Sequence, residues 1–160
     1  MAFHTSNNCP NNKMRAIDKR TNGSRRRGAA LRKKTDVLVE MLARAWRYGI
    51  DASFVLFDSW FAHDVVIANI LTIGYGVICR LKPTRAKYTY QGQSYTLKQL
   101  WQLVAKKKTQ WIYKFQAKAV CVNVSLPKSG DVRIVFVSDG GKKWHAFLCT
   151  DLELEASEIL

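Results

Sequence analysis

The chain has 160 residues, 48% of them hydrophobic, with 26 Lys and Arg against 12 Asp and Glu and a formal net charge of +14. That length and apolar content support one ordinary domain with a real core. No apolar stretch approaches the roughly 20 residues of a membrane span, and the opening "MAFHTSNNCPNNK" has no apolar h-region and so reads as no signal peptide. A cytoplasmic protein with no membrane partner is expected, and so large a positive charge points to a polyanion, nucleic acid first.

In chain order, residues 4–12 read as loop. Residues 13–34, "KMRAIDKRTNGSRRRGAALRKK", hold ten basic residues and one acid, Asp18. They read as loop or short helix leading into a longer helix. In "TDVLVEMLARAWRYG", Leu38, Met41, Leu42 and Ala45 recur at the spacing of an apolar helical face. Leu31 extends that stripe backwards, Thr35 or Asp36 caps the start, and Gly49 stops it. Ser53–Phe57 is a short apolar strand of the kind covered on both faces. After Asp58, "SWFAHDVVIANILTIG" reads as a second helix, and "GVICRL" (76–81) as a second buried strand. Helix, strand, helix, strand with short connections is α/β grammar.

From Pro83 the pattern changes. "KYTYQGQSYT" predicts a hairpin around Gln91-Gly92, and "TLKQLWQLVAKKK" a short amphipathic helix with Leu97, Leu100, Trp101 and Val104 inward. "IYKFQAKAVCVNVSL", "VRIVFVS" and "WHAFLCT" predict a meander with turns at "PKSGD" and "DGGKK". In "DLELEASEIL" a further helix begins, with Ser157 or Asp151 as its cap. Residues 84–150 are thus a β-rich block after an α/β start. Cys9, Cys79, Cys121 and Cys149, like His4, His63 and His145, are too scattered for a zinc site and read as buried thiols and ordinary histidines.

Asp58 is the residue with the most chemistry to offer. A carboxylate at the C-terminal end of a buried strand sits where α/β proteins place ligands. It also precedes a helix, where Asp is a favoured N-cap, and both roles stay open. Phosphodiester chemistry is commonly run by two divalent ions held by carboxylates. Among Asp18, Glu40, Asp51, Asp64, Asp131, Asp139, Asp151, Glu153, Glu155 and Glu158, none follows a second apolar strand as Asp58 does. Three basic clusters accompany it. Arg25, Arg26, Arg27, Lys33 and Lys34 carry more charge than solubility needs. Arg80, Lys82, Arg85 and Lys87 leave the second strand, and the helical crossover favours parallel strands, which would bring these cations beside Asp58. Lys106–Lys108 sit at a helix end, where the dipole alone would explain them.

Three segments in order, "DKRTNGSRRRGAALRKKTDVLVEMLARAWRYGIDASFVLFDSWFA", "GYGVICRLKPTRAKYTYQG" and "WHAFLCTDLELEASEIL", resemble DDE transposases of the insertion-sequence-four family of bacteria. The resemblance covers essentially the whole chain. It implies a ribonuclease-H-like α/β fold, here partial, with a β-rich insertion. The divisions would be 1–83 for the partial core with its basic start, 84–150 for the insertion, and 151–160 for the beginning of the C-terminal catalytic helix region. Asp58 matches the second of three acids that hold Mg²⁺ or Mn²⁺ in the complete family site. Arg80, Lys82 and Arg85 match a basic region close to the DNA. The family cuts transposon ends and joins the 3′ hydroxyl to target DNA, and the complete transposase is expected to pair into homodimers. The first acid lies upstream of anything in this sequence. The final Glu belongs to a Y-x-x-R-x-x-x-E-x-x-x-x-x-x-K signature on the helix that "SEIL" begins. The expectation is therefore a truncated middle segment, inactive alone and able to bind DNA. The rival expectation is a non-catalytic basic nucleic-acid-binding module.

Overall fold

In the computed structural model, residues 20–105, 109–138 and 143–160 are described. Strands β1 (Phe54–Phe57), β2 (Gly76–Leu81), β3 (Lys87–Tyr90), β4 (Gln93–Thr96), β5 (Gln110–Ile112), β6 (Ala117–Leu126), β7 (Gly130–Ser138) and β8 (Trp144–Cys149) form one sheet. Its order is β1-β2-β8-β7-β6-β3-β4, with β5 pairing to the other end of β6. Among the described strands only β1 and β2 are parallel to each other; the other pairings are antiparallel. The chain is mixed α/β, as the sequence pattern predicts. The β-rich stretch joins β1 and β2 in the same sheet, because β8 lies against β2 with Ile78 opposite Cys149 and Leu81 opposite Ala146.

Helices α1 (Asn22–Leu31), α2 (Lys34–Arg47), α3 (Asp64–Ile73), α4 (Leu97–Val104) and α5 (Ala156–Ile159) complete the described elements. Side chains alternate across a strand, and the two faces are covered unequally. On one, Val77, Cys79 and Leu81 of β2 and Leu148 of β8 pack with Val66, Ile67 and Ile70 of α3 and Leu100 of α4 in the main core. On the other, Ile78 and Phe147 lie beside a smaller cluster of Val135, Cys149, Ala156 and Ile159. Phe54 belongs to this second face and Leu56 follows it by alternation, 71% exposed.

Several local expectations are corrected. The basic stretch does form a short helix, but Leu31 ends α1 and is exposed, so it adds nothing to the α2 stripe. α2 starts at Lys34 behind Lys33, with no side-chain cap, so Thr35 and Asp36 lie inside its first turn. It is an outer layer: Leu38, Val39 and Leu42 lean on the core, none of its residues is fully buried, and Met41 is exposed. The long strand predicted from Ile112 is interrupted by a 3-10 turn, Tyr113–Phe115, and by Gln116 at φ 48. α5 starts behind Glu155, whose backbone N–H donates to the Glu158 carboxylate at 2.8 Å, and not behind Ser157 or Asp151. Cys79 and Cys149 are buried thiols as expected, whereas Cys121 is exposed. Residues 4–12, Asp18, Cys9, the Lys106–Lys108 cluster and the "DGGK" turn fall outside the described residues.

The junction between α3 and β2 leads into the parallel β1–β2 ladder. Gly74 closes α3 at φ 115, a left-handed conformation that favours glycine. A Cβ there would lie 2.8 Å from the Trp46 indole, which packs edge-on against Tyr75 at 5.1 Å. Tyr75 Oη donates to Ile50 O at 3.0 Å, and Gly76 N to Ser53 O at 2.9 Å. The approaches to β1 and β2 are thereby locked in register. The Gln91-Gly92 hairpin turn has φ 50 and 78, the pair of positive angles that a two-residue turn of this hand requires.

Candidate nucleic-acid interface

β1 and β2 run in register from Phe54 opposite Gly76 to Phe57 opposite Cys79. Asp58 follows the end of β1, and the register carried one step further sets it level with Arg80. Both fall by alternation on the second face, the one carrying Leu56 and Ile78. Lys82 follows two residues on. The parallel crossover therefore brings the carboxylate and two cations to one end of the sheet, as the sequence argument expected of parallel strands.

Asp58 is not a helix cap. After it the chain makes turns, with Phe61 N donating to Asp58 O at 3.2 Å and Ala62 N to Ser59 O at 3.4 Å. Phe61 packs edge-on to Phe57 at 6.4 Å. These turns hold α3 off until Asp64, behind His63, which makes no side-chain cap. The Asp58 carboxylate instead accepts from Ser59 N at 2.7 Å. That backbone hydrogen bond is the main reason its pKa lies below the ordinary value of 3.8. Partial desolvation works against it, while the Ser59 hydroxyl, Lys82 and Arg80 lower it further. The Ser59 hydroxyl is itself buried and makes no hydrogen bond of ordinary geometry.

A depressed folded-state pKa means that the carboxylate stays charged below the ordinary aspartate range and loses its charge only as pH falls through the lower folded value. A carbon-13 carboxyl titration should place the Asp58 midpoint below 3.8. A midpoint at or above that value would show the local hydrogen bond and cations to be ineffective.

Most of the other acids weighed from the sequence have structural work. Asp64 anchors the β6–β7 turn, accepting from Lys128 N at 3.0 Å, Ser129 N at 2.9 Å and Ser129 Oγ at 2.6 Å. Glu40 pairs with Arg32 at 2.6 Å, on the surface. Asp131 accepts from Ser125, Asp151 from Glu153 N and Glu158 from Glu155 N. Among the described residues no three His, Cys, Asp or Glu side chains converge. Asp58 has the right donor chemistry for Mg²⁺, an exposed ionised oxygen. One carboxylate is not the donor set of a two-metal centre, and its charged neighbours Lys82 and Arg80 are cations.

The basic residues divide into two groups. Arg25, Arg26 and Arg27 are exposed on α1, with Lys33 in the α1–α2 link. Lys34 begins α2 and reaches back to Ala30 O at 3.4 Å. Arg80 and Lys82 stand at the Asp58 end of the sheet. Lys82 and Lys87 line, with Ser59, His63 and Asp64, a cavity of about 330 Å³ under the β1–α3 turns. Arg85 is exposed in the β2–β3 loop. One partner escaped the sequence argument. His145, on β8, takes the Arg80 guanidinium: Arg80 Nη2 lies 3.0 Å from His145 Nδ1. The two are 65 positions apart and belong to no shared motif, so only strand pairing could bring them together. His63 is exposed.

A family model described as DDE superfamily endonuclease matches residues 6–96, more than half of the chain. The matched stretch runs through β1, Asp58, β2 and the basic residues after it, and ends with β4. The mixed sheet with its helices is consistent with the ribonuclease-H-like fold of such nucleases. No curated protein and no solved structure matches the chain.

Proposed function

The chain belongs to the DDE superfamily endonucleases, and on that premise we propose that it is the DNA-contacting middle segment of a transposase catalytic domain of the bacterial insertion-sequence-four kind. The observation that carries the reading is the parallel β1–β2 ladder, which sets Asp58 level with Arg80 and within electrostatic reach of Lys82. Such an end of a sheet offers a carboxylate for a divalent ion and cations for the phosphates on either side of it. The family typically uses divalent metals, and its substrate is DNA.

In this reading Asp58 would be one ligand of a Mg²⁺ or Mn²⁺ ion, whose Lewis-acid chemistry would serve cleavage and strand transfer in the complete enzyme. The residues of this chain do the positioning. Arg80 and Lys82 take phosphates next to Asp58, Arg85 and Lys87 extend the track along the β2–β3 loop, and the α1 arginines with Lys33 and Lys34 hold flanking duplex. The proposed divisions are a core with basic start at 1–83, an insertion at 84–150 and the beginning of the catalytic helix region at 151–160. The complete transposase would act as a homodimer on DNA in the bacterial cytoplasm. No helix among the described residues is long and apolar enough to cross a membrane.

The second reading, a non-catalytic basic binding module, draws on the lone carboxylate. Titrating a fluorescent transposon-end duplex with and without Mn²⁺ separates the two. Under the transposase reading Mn²⁺ tightens binding to the wild-type chain and not to Asp58→Ala. Salt-dependent binding that ignores both the metal and the substitution would favour the module. No binding at 50 mM salt would end both.

A further inference from the structure

Arg80 has two possible partners at the end of the sheet. Asp58, the residue after β1, comes level with it when the β1–β2 register is extended by one step, an arrangement in which an Arg and an Asp commonly form an ion pair. Among the described residues no such pair forms; the guanidinium goes the other way, to His145 Nδ1 at 3.0 Å. Register explains the reach. Arg80 faces Phe147 on β8 and Leu81 faces Ala146, so His145, on the same face as Phe147, lies diagonally from Arg80 towards the Lys82 end. Both side chains are exposed, so the contact is not forced by burial.

A guanidinium only donates, so a hydrogen bond from Arg80 requires Nδ1 as the acceptor and the ring proton on Nε2, the uncharged tautomer. A neutral acceptor orients the guanidinium without cancelling its charge, whereas an ion pair with Asp58 would occupy both groups.

We propose that His145 is a positioning residue: a neutral tether that holds Arg80 away from Asp58, keeping the carboxylate open and the guanidinium directed at a DNA phosphate. The DNA half of this rests on the reading of the chain as a DNA-contacting segment; the tether itself does not. His145→Leu removes the acceptor, and His145→Asn puts an amide oxygen close to where Nδ1 stands. The first should weaken duplex binding roughly three- to tenfold, the scale of ordering one long side chain. The second should restore affinity close to wild type. In an Arg80→Ala background, His145→Leu should add nothing.

Nitrogen-15 spectra of the DNA-free protein at pH 7.5 test the tether separately. They should show His145 as the Nε2–H tautomer, and an Arg80 side chain that becomes more mobile in His145→Leu and not in His145→Asn. A wild-type chain that binds no duplex would remove the DNA reading and leave these spectra to decide the tether. An Nδ1-protonated ring, an unchanged Arg80 signal in His145→Leu, no rescue by Asn, or an equal loss without Arg80 would each overturn the proposal.

Discussion

Replacing Arg80 and Lys82 together by alanine is expected to weaken duplex binding by roughly tenfold at 50 mM salt, since each loses an exposed ionic contact of up to about 1 kcal/mol. The slope of log K against log salt should fall by about two, one for each phosphate no longer neutralised. Neither side chain supports the core: both are exposed, and Arg80 leaves the sheet on the face opposite α3. The melting temperature should therefore hold, and a loss of affinity cannot be blamed on unfolding. Replacing Arg25, Arg26 and Arg27 together should lower the slope by up to about three, and its effect should add to that of the pair, because cations on α1 and at the end of β2 would neutralise different phosphates. An unchanged slope in the Arg80 and Lys82 double variant would remove these cations from the interface and with them the main support for DNA at the Asp58 end.

The largest stability effect should come from Phe136→Ala. Phe136 lies on β7 between two neighbours in the sheet and is fully buried. Its ring is 5.5 Å from Trp101 of α4 and 5.6 Å from Trp144 of β8, and the two indoles stack at 5.7 Å. Truncation removes the buried ring and leaves a cavity walled by large rings that cannot collapse into it, a loss of about 3–5 kcal/mol. At roughly 2–4 °C per kcal/mol for a chain of this size, the melting midpoint should fall well beyond experimental error. Urea denaturation should show the same loss with an unchanged m-value. A loss below about 1 kcal/mol would mean that the α4 clamp on the meander is not part of the cooperative core. The clamp matters to the site because β8 carries His145 on one face while Trp144 and Leu148 join β8 to the main core.

How much of this was legible in the sequence differs by element. β2, the Gln91-Gly92 hairpin and α4 were readable because each is dictated locally. β2 is a run of apolar and β-branched residues, the hairpin has a glycine where a positive φ is needed, and α4 has apolar residues at helical spacing. α4 also carries the Thr96/Gln99 reciprocal cap, which spacing alone did not single out. The start of α3 was misplaced by several residues. The apolar pattern runs through Trp60 and Phe61, and nothing local announces that Phe61 turns back onto Phe57. Asp58 therefore looked equally good as a cap. The same failure of local signals hid the work of Asp64, whose three hydrogen bonds go to a turn some 65 positions away.

By itself, then, the sequence determined an α/β start followed by a meander, a strongly basic surface, and an apolar strand that ends on an acid. Composition, periodicity and turn chemistry act over a few residues and survive without knowledge of partners. Only the tertiary structure decided what stands around Asp58. The ladder of β1 with β2 sets Arg80 level with it, and the pairing of β2 with β8 supplies His145 to hold that arginine. The reason is the geometry of sheets: a register shift of one residue would send Arg80 to the opposite face, and register is set by long-range contacts such as Tyr75 with Ile50 and β2 with β8, which no single segment encodes.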